Sequence, residues 1–581
     1  MLKRSALFAL TLTAGAAELH SAEDPNLKYF RDLAETRNYT LGRPVAPKLT
    51  PDGKYAIFLR ALPRDPTLRL FELELANGRE RELLTPAQLL GGMAETLSAE
   101  EKARRERQRQ SLKGFTAFQM SQDGAQLLVT LSGKLYGVNR ASLKITELPG
   151  TGWIDPRFSP DGKFVAAAGS DRELHIIELD GGSARPIERP ITQGATETVS
   201  HGTAEFVAQE EMSRNAGYWW SPDSKILLLQ ETDESKVEVR YVADPLHPEI
   251  PPTKFFYPRA GTPNAIVRLV LVPRTGGNPV AVAWDNTAFP YLAHVNWPKN
   301  APLTLLVQNR EQTEQRLLVV DSSTGATREL LRETDPAWLN LDDNFAGSSG
   351  DRRPPFWYKD GSHFLWTTER RGAWQVELRD ATGKLVRELT PLTWNYRGLV
   401  GLDDEGGGFY VRGGDDPREV HVWKFSFAGG AGVRLTRDRG QHNASFFPES
   451  RQLVRTMDHF NGSYRSDIVS ADDARVIATL PSLAEMPAQW PATELTRTSG
   501  ARAFDAAVTR PRAFASEKKY PVILVVYAGP TSKRVVADAR SFLTDQWMAD
   551  QGYVVVRIDG RGTPSRGREW ERVIKDRKSV V

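Results

Sequence analysis

Glu210 and Glu211 stand side by side in the stretch Ala204-Glu205-Phe206-Val207-Ala208-Gln209-Glu210-Glu211-Met212. Adjacent carboxylates repel, so a fold that turns both inward needs a cation to bind. A peptide's α-ammonium fits that need. Its pKa is about 7.7–8.0, and its three N–H donors can bridge two carboxylates through charge-assisted bonds. On a helix surface the same residues would be a solvated acidic pair, and the pair alone leaves both readings open. Other chemistries find little support. There is no Cys, and the nine His show no metal-ligand spacing; His201 and Glu205 form an isolated pair that reads as loop. No HExxH, P-loop or strand-following GxGxxG occurs, so no metal or cofactor is expected. A GxSxG nucleophile elbow is also absent; Gly347-Ser348-Ser349-Gly350, the nearest approach to one, reads as a loop.

Composition narrows the field further. The 76 basic and 73 acidic residues leave a net charge of +3, which offers no global field for nucleic acid. At 40% hydrophobic residues the chain has enough apolar matter to fold. A mean hydropathy of -0.44, with no run of about 18 apolar residues, argues against membrane spans. Residues 1–17 read as a secretory signal: two positive charges by Arg4, then small and apolar Ser5–Ala17, with Ala14-Gly15-Ala16 as a cleavage site. The cut could fall as late as residue 22. A periplasmic or secreted location is therefore expected.

A turn signal repeats along the body. Thr50-Pro51-Asp52-Gly53, Ser121-Gln122-Asp123-Gly124, Ser159-Pro160-Asp161-Gly162 and Ser221-Pro222-Asp223-Ser224 are its clearest copies. Weaker ones start at Trp297, Tyr358, Asp403 and Phe447. Pro presets φ, Asp folds back on the backbone and Gly takes positive φ. A β-prone apolar run follows each turn, and usually a second short strand. At a spacing of about 55 residues this reads as a β-propeller with insertions, and the eight copies give eight blades over residues 44–495. A β-sandwich or two smaller propellers are the competing architectures. Residues 23–43 form an N-terminal segment. The insertion Leu97–Leu112 reads as a helical arm with a Ser98/Glu101 capping box, and its charge predicts a solvated face.

From residue 496 to 581 the pattern changes. Lys518–Gly529 and Gly552–Asp559 are continuous apolar strands, with a helix expected over Asp538–Gln551. Such runs suit an α/β sheet covered on both faces.

Propeller and sheet together suggest the prolyl oligopeptidase clan. Glu210-Glu211-Met212, followed by Tyr218-Trp219-Trp220-Ser221-Pro222-Asp223, resembles the double-glutamate signature of the dipeptidyl peptidase IV family. Tyr520-Pro521 through Val526-Tyr527-Ala528-Gly529-Pro530 resembles the family's first hydrolase strand, Asp559-Gly560-Arg561-Gly562 its next strand-end loop, and Phe364–Arg370 a blade segment. The resemblance covers nearly the whole chain after the leader. It implies a mainly β fold, with an eight-bladed propeller followed by the N-terminal part of an α/β-hydrolase domain. It also implies a secreted bacterial serine exopeptidase that releases X-Pro or X-Ala dipeptides from peptides with a free N-terminus, and a possible homodimer in the complete protein. Glu210 and Glu211 would grip the ammonium. One arginine of the arm would hold a substrate carbonyl: Arg104, Arg105, Arg107 and Arg109 are candidates, with Arg107 preferred. Tyr527 would donate into the oxyanion hole, where negative charge develops.

The chain departs from that pattern in one respect. The family elbow is expected roughly 80 residues past Tyr527, with Asp and His later, so the triad is missing here and the chain alone should be inactive. The closing Asp576-Arg577-Lys578-Ser579-Val580-Val581 does not match the family and suggests a prematurely ended gene model. Unpaired strands after about Arg497 would then invite aggregation or proteolysis. A non-catalytic propeller that only binds peptide or protein is the alternative.

Overall fold

The computed structural model describes residues 24–179, 186–342, 354–527, 529–530 and 532–576. The expected leader, the Gly347–Gly350 run and the last five residues lie outside them.

Among the described residues eight blade sheets follow one another along the chain, at residues 45–84, 118–147, 154–190, 199–281, 291–334, 356–388, 395–434 and 440–479, and a separate two-stranded ribbon, Val239–Val242 with Thr253–Phe256, projects within the fourth span. Each blade sheet runs antiparallel through four successive strand positions. The first sheet also carries a two-residue strand at Lys113–Gly114, and the fourth has its first strand in two pieces. The eight turn signals fall between the first and second strands of the eight sheets. Their local chemistry explains why. The Thr50, Ser121, Ser159 and Ser221 hydroxyls donate to Asp52, Asp123, Asp161 and Asp223 at 2.5–2.7 Å. The same Asp52 oxygen accepts the Lys54 N–H at 3.1 Å, and Gly53 takes φ +66°.

Second strands such as Phe164–Ala168 and Leu303–Gln308 are buried throughout, whereas fourth strands such as Leu385–Glu388 and Val433–Arg434 are mostly exposed. Fourth strands therefore form the rim, and first strands face the axis. Every neighbouring pair of blades shares one apolar seam. A further seam, built on Leu49, Phe58, Phe71, Val454, Ile468 and Leu480, joins blade 8 to blade 1. Neither blade lends a strand to the other: side chains close the ring, and just beyond them the Leu483 N–H donates to the Gly42 carbonyl at 2.8 Å.

The ninth sheet has the order Thr493–Arg497, Asp505–Thr509, Val554–Asp559, Val522–Val526, and its last two strands are parallel. It begins three residues before the expected boundary at 496. The helix Leu543–Asp550, entered through a 3-10 turn, buries Phe542 and Leu543. The runs suit a sheet covered on both faces, but unpaired strands in this part of the chain should leave apolar faces in water; Val522, Leu524 and Val526 are accordingly 56–62% exposed, because the helix packs elsewhere and no described element covers them. Helix Pro25–Glu35 docks on this part of the chain: Tyr29 donates to the Leu543 carbonyl at 2.6 Å, and the Trp547 indole donates to Asn26 at 2.8 Å.

Three histidines cluster across blades 7 and 8, one ring pair tilted and the other edge-to-face. His442 lies 5.0 Å from His421 and 5.3 Å from His459 between ring centroids, and its Nε2–H donates to the Asp438 carbonyl. Burial, helped by both imidazoles and by Arg434, pushes the His442 pKa down to about 4. Glu419, Arg439 and Asp438 complete the charged surroundings. A base with a depressed folded pKa contributes stability that is complete above its unfolded pKa near 6.5 and lost as pH falls towards 4. His442→Gln should therefore remove up to about 3 kcal/mol of acid sensitivity between those limits. Urea midpoints at pH 7 and pH 5 check this; a variant as acid-sensitive as the parent would contradict it.

Candidate functional site

The inner strand of blade 4 is interrupted. Val199–His201 and Tyr218–Trp220 both pair with Ile226–Asp233, and the residues between them leave the sheet as a short excursion. An isolated bridge between Thr203 and Ala216 pinches its base. The neck depends on glycine. A Cβ on Gly217 would stand 2.5 Å from the Gly202 and Thr203 backbone. Backbone cannot yield there as a flexible side chain would. Gly217→Ala should cost about 1–3 kcal/mol by overpacking and disturb the excursion; thermal unfolding checks it, and an unchanged midpoint would contradict it.

Within the excursion, helix Phe206–Glu211 carries the paired glutamates. Glu210 is about a quarter exposed, and Glu211 is exposed. His201, read from sequence as a loop partner of Glu205, is a buried strand residue paired with Glu173 at 2.8 Å. Its separation from Glu205 follows from the neck, which sends the two residues to different elements.

The arginine arm lies in the connection from blade 1 to blade 2. Helix Ala99–Arg107 starts at Ser98, whose hydroxyl accepts the Glu101 N–H at 3.1 Å. The arm is less solvated than its charge suggested. Arg105 is buried between Glu95 and Glu101, and Arg104 also pairs with Glu101. Mutual neutralisation lets these side chains pack. Arg104 and Arg105 are thus committed to the arm itself, while the next turn reaches the glutamate helix. Arg107 Nε donates to Gln209 Oε1 at 2.8 Å, and its guanidinium stands 5.9 Å from the Phe206 ring. Burial lowers the Arg107 pKa, opposed by the charges of Glu234 and Glu210. Arg109, three-quarters exposed, donates to Glu210 Oε1 at 2.6 Å. The arrangement brings Arg107 and Arg109 to Glu210. Arg109 takes the carboxylate, whereas Arg107 is steered through Gln209 and Phe206.

Sequence reading did not single out Gln209, Arg214 or Glu234. Burial raises the Glu234 pKa, partly offset by Arg172 at 3.2 Å. No local pattern marks such a residue, since its burial comes from contacts distant in the chain.

Tyr527 belongs to the ninth sheet, just past strand Val522–Val526, and is 36% exposed. The Arg534 guanidinium lies 4.8 Å from its ring centroid. A Cβ on Gly529 would meet the Tyr527 hydroxyl at 2.7 Å, so the phenol folds over a residue that must be small. Buried Lys533 fixes the loop beyond, pairing with Asp505 at 3.1 Å and Asp559 at 3.3 Å. Asp559 also accepts the Arg534 and Val535 N–H groups. Past it, Arg572 pairs with Glu369 at 2.8 Å, and Asn340 donates to Glu571 at 2.8 Å. The Asp559-Gly560-Arg561-Gly562 segment is thereby tied to blades 5 and 6. Among the described residues no group of three or more His, Cys, Asp or Glu could hold a metal.

This is an eight-bladed propeller joined to the start of an α/β-hydrolase sheet, with an acidic helix turned out of one inner strand. Residues 121–464 match the family model described as the dipeptidyl peptidase IV N-terminal region, and residues 540–581 match the prolyl oligopeptidase family. The chain belongs to the dipeptidyl peptidase IV family. It is 25% identical over 591 residues to dipeptidyl peptidase 8 of Mus musculus, covering 82% of this chain and 64% of that protein. The Homo sapiens dipeptidyl peptidase 8 is 23% identical over 583 residues with the same coverage. The chain thus spans less than two thirds of these relatives. The crystal structure of Porphyromonas gingivalis dipeptidyl peptidase 4 superposes with a TM-score of 0.74 at 21% identity, covering 94% of this chain and 75% of that one.

Proposed function

We propose that the protein is the propeller-bearing part of an exported serine dipeptidyl peptidase that takes peptides by their free N-terminus and releases X-Pro or X-Ala dipeptides. Glu210 and Glu211 bind the α-ammonium, Arg107 holds a backbone carbonyl, and Tyr527 donates to the oxyanion. No GxSxG elbow occurs among these 581 residues, so the reading assigns none of them as the nucleophile. One observation carries the reading: two adjacent carboxylates ride on a helix pinched out of an inner strand, and an arginine arm from another blade meets the first of them, Glu210. A solvated surface pair needs no such architecture. Ammonium recognition does, because its length discrimination depends on a fixed distance from carboxylates to scissile bond.

The test has two arms. Calorimetric titration of the chain should show binding of a Gly-Pro-Ala-Ala peptide and little of its N-acetyl form. A version extended through a GxSxG elbow and its partners should hydrolyse a Gly-Pro chromogenic substrate, and the 581-residue chain should not. Equal activity on N-acetylated substrate would exclude the exopeptidase.

A further inference from the structure

The excursion bearing Glu210 and Glu211 is too small to hold itself. Its helix has six residues and no side-chain cap at its N-terminus, and isolated helices that short do not persist in water. A buried ion pair crosses its base. Glu205 and Arg214, just outside the two ends of the helix, expose only 5% and 2% of their side chains, and Arg214 Nη2 donates to Glu205 Oε2 at 3.0 Å. The pair then reaches three separate walls. Gln230, on the second strand of blade 4, donates to the same Glu205 oxygen at 2.6 Å. Arg214 Nε donates to the Leu292 carbonyl of blade 5 at 2.8 Å, and Nη1 to the Ala216 carbonyl in the neck at 2.6 Å. The Arg214 N–H closes on the Ala208 carbonyl inside the helix at 2.8 Å.

We propose that Glu205 and Arg214 are positioning residues that aim the Glu210–Glu211 pair, by locking the helix to blades 4 and 5 through one guanidinium fork. This rests on the reading of that pair as the ammonium site. A buried ion pair is poor evidence of net stabilisation, since desolvation offsets its attraction and apolar residues of similar volume often support a fold as well. An apolar pair cannot supply direction, however. The planar fork fixes three acceptors at set angles, on Glu205 at the start of the helix, on the neck and on the next blade.

The 581-residue chain is compared with Glu205→Leu, Arg214→Met, the double variant and Arg214→Lys. Urea midpoints, amide exchange over residues 206–212 and titration with Gly-Pro-Ala-Ala and its N-acetyl form are measured for each. The single variants to Leu and Met should lose stability, because each leaves a buried charge unpaired. The double variant should regain the parental midpoint yet bind the free-amino peptide about ten- to hundredfold more weakly, with faster exchange across the helix. Arg214→Lys, which keeps the charge but loses the fork, gives the same comparison if the double variant does not fold. Recovery of affinity and exchange protection along with stability would overturn the proposal, leaving the pair merely structural. If the parent shows no preference for the free amino group, the ammonium reading fails, and the exchange arm still decides whether the helix is held this way.

Discussion

Neutralising both carboxylates, Glu210→Gln with Glu211→Gln, should weaken binding of a free-amino peptide by about a hundredfold or more while leaving the N-acetyl peptide nearly unchanged. Hydrogen bonds to charged groups contribute about 1.5–3 kcal/mol each, so losing the charge on two acceptors accounts for a change of that size. Repulsion adds to it. Arg107 and Arg109 approach the glutamate helix, and Arg109 now balances Glu210 directly. With the carboxylates gone, an incoming ammonium meets two guanidinium groups and no counter-charge. The pH dependence carries its own sign. The bound form is the protonated amine, so parental affinity should fall as pH rises through about 7.7–8.0, and the double variant should lack that slope. Titration calorimetry at pH 6.5 and pH 9 reads both effects. A variant that kept its preference for free amino groups would remove the physical basis of the functional reading.

What the sequence disclosed about this arrangement depended on how local each interaction is. The blade turns were legible because Ser or Thr, Asp and Gly satisfy one another within five residues, and the same four-residue chemistry recurs on one side of every early blade. Glu210 and Glu211 were legible as types, helped by the Tyr-Trp-Trp run that resumes the interrupted strand. The choice among the arginines was not. A helix advances about 100° per residue, so only its docking decides which cations face Gln209 and Glu210. That docking joins residues about a hundred positions apart. Arg104 and Arg105 turned back onto Glu101 and Glu95 instead, which the charge pattern of the arm left undetermined. The pairing of Glu205 with Arg214 was invisible for another reason: each is ordinary in type, and only burial distinguishes them. The one available hint was the pair of glycines, Gly202 and Gly217, bracketing the excursion.

Phe58→Ala should open the ring locally where an equivalent cavity at another seam does not. Phe58 is fully buried, its ring centroid lies 5.7 Å from that of Phe71, and it packs where blade 1 meets blade 8. Removing a buried Phe side chain costs about 3–5 kcal/mol, whatever the seam. Phe409 provides the control, because it is equally buried, with its centroid 5.7 Å from that of Phe425, at the junction of blades 6 and 7. The difference lies in what remains. Blades 6 and 7 are consecutive in the chain, so a short linker keeps them adjacent after their seam is weakened. Blades 8 and 1 have no such linker and no shared strand; beyond apolar contact, bonds such as Arg60 to the Pro481 carbonyl tie them. A cavity at Phe58 should therefore open the ring locally, with amide exchange accelerating in both terminal blades well below the urea midpoint. Phe409→Ala should lower the midpoint without that selective opening. The consequence reaches the candidate site. Its arginine arm leaves blade 1 and its glutamates hang from blade 4, so their meeting depends on the ring staying closed. Affinity for a free-amino peptide should fall in Phe58→Ala under conditions where most molecules remain folded, and should be retained in Phe409→Ala. Equal exchange and equal affinity in the two variants would show that closure adds nothing beyond the packing of any single seam.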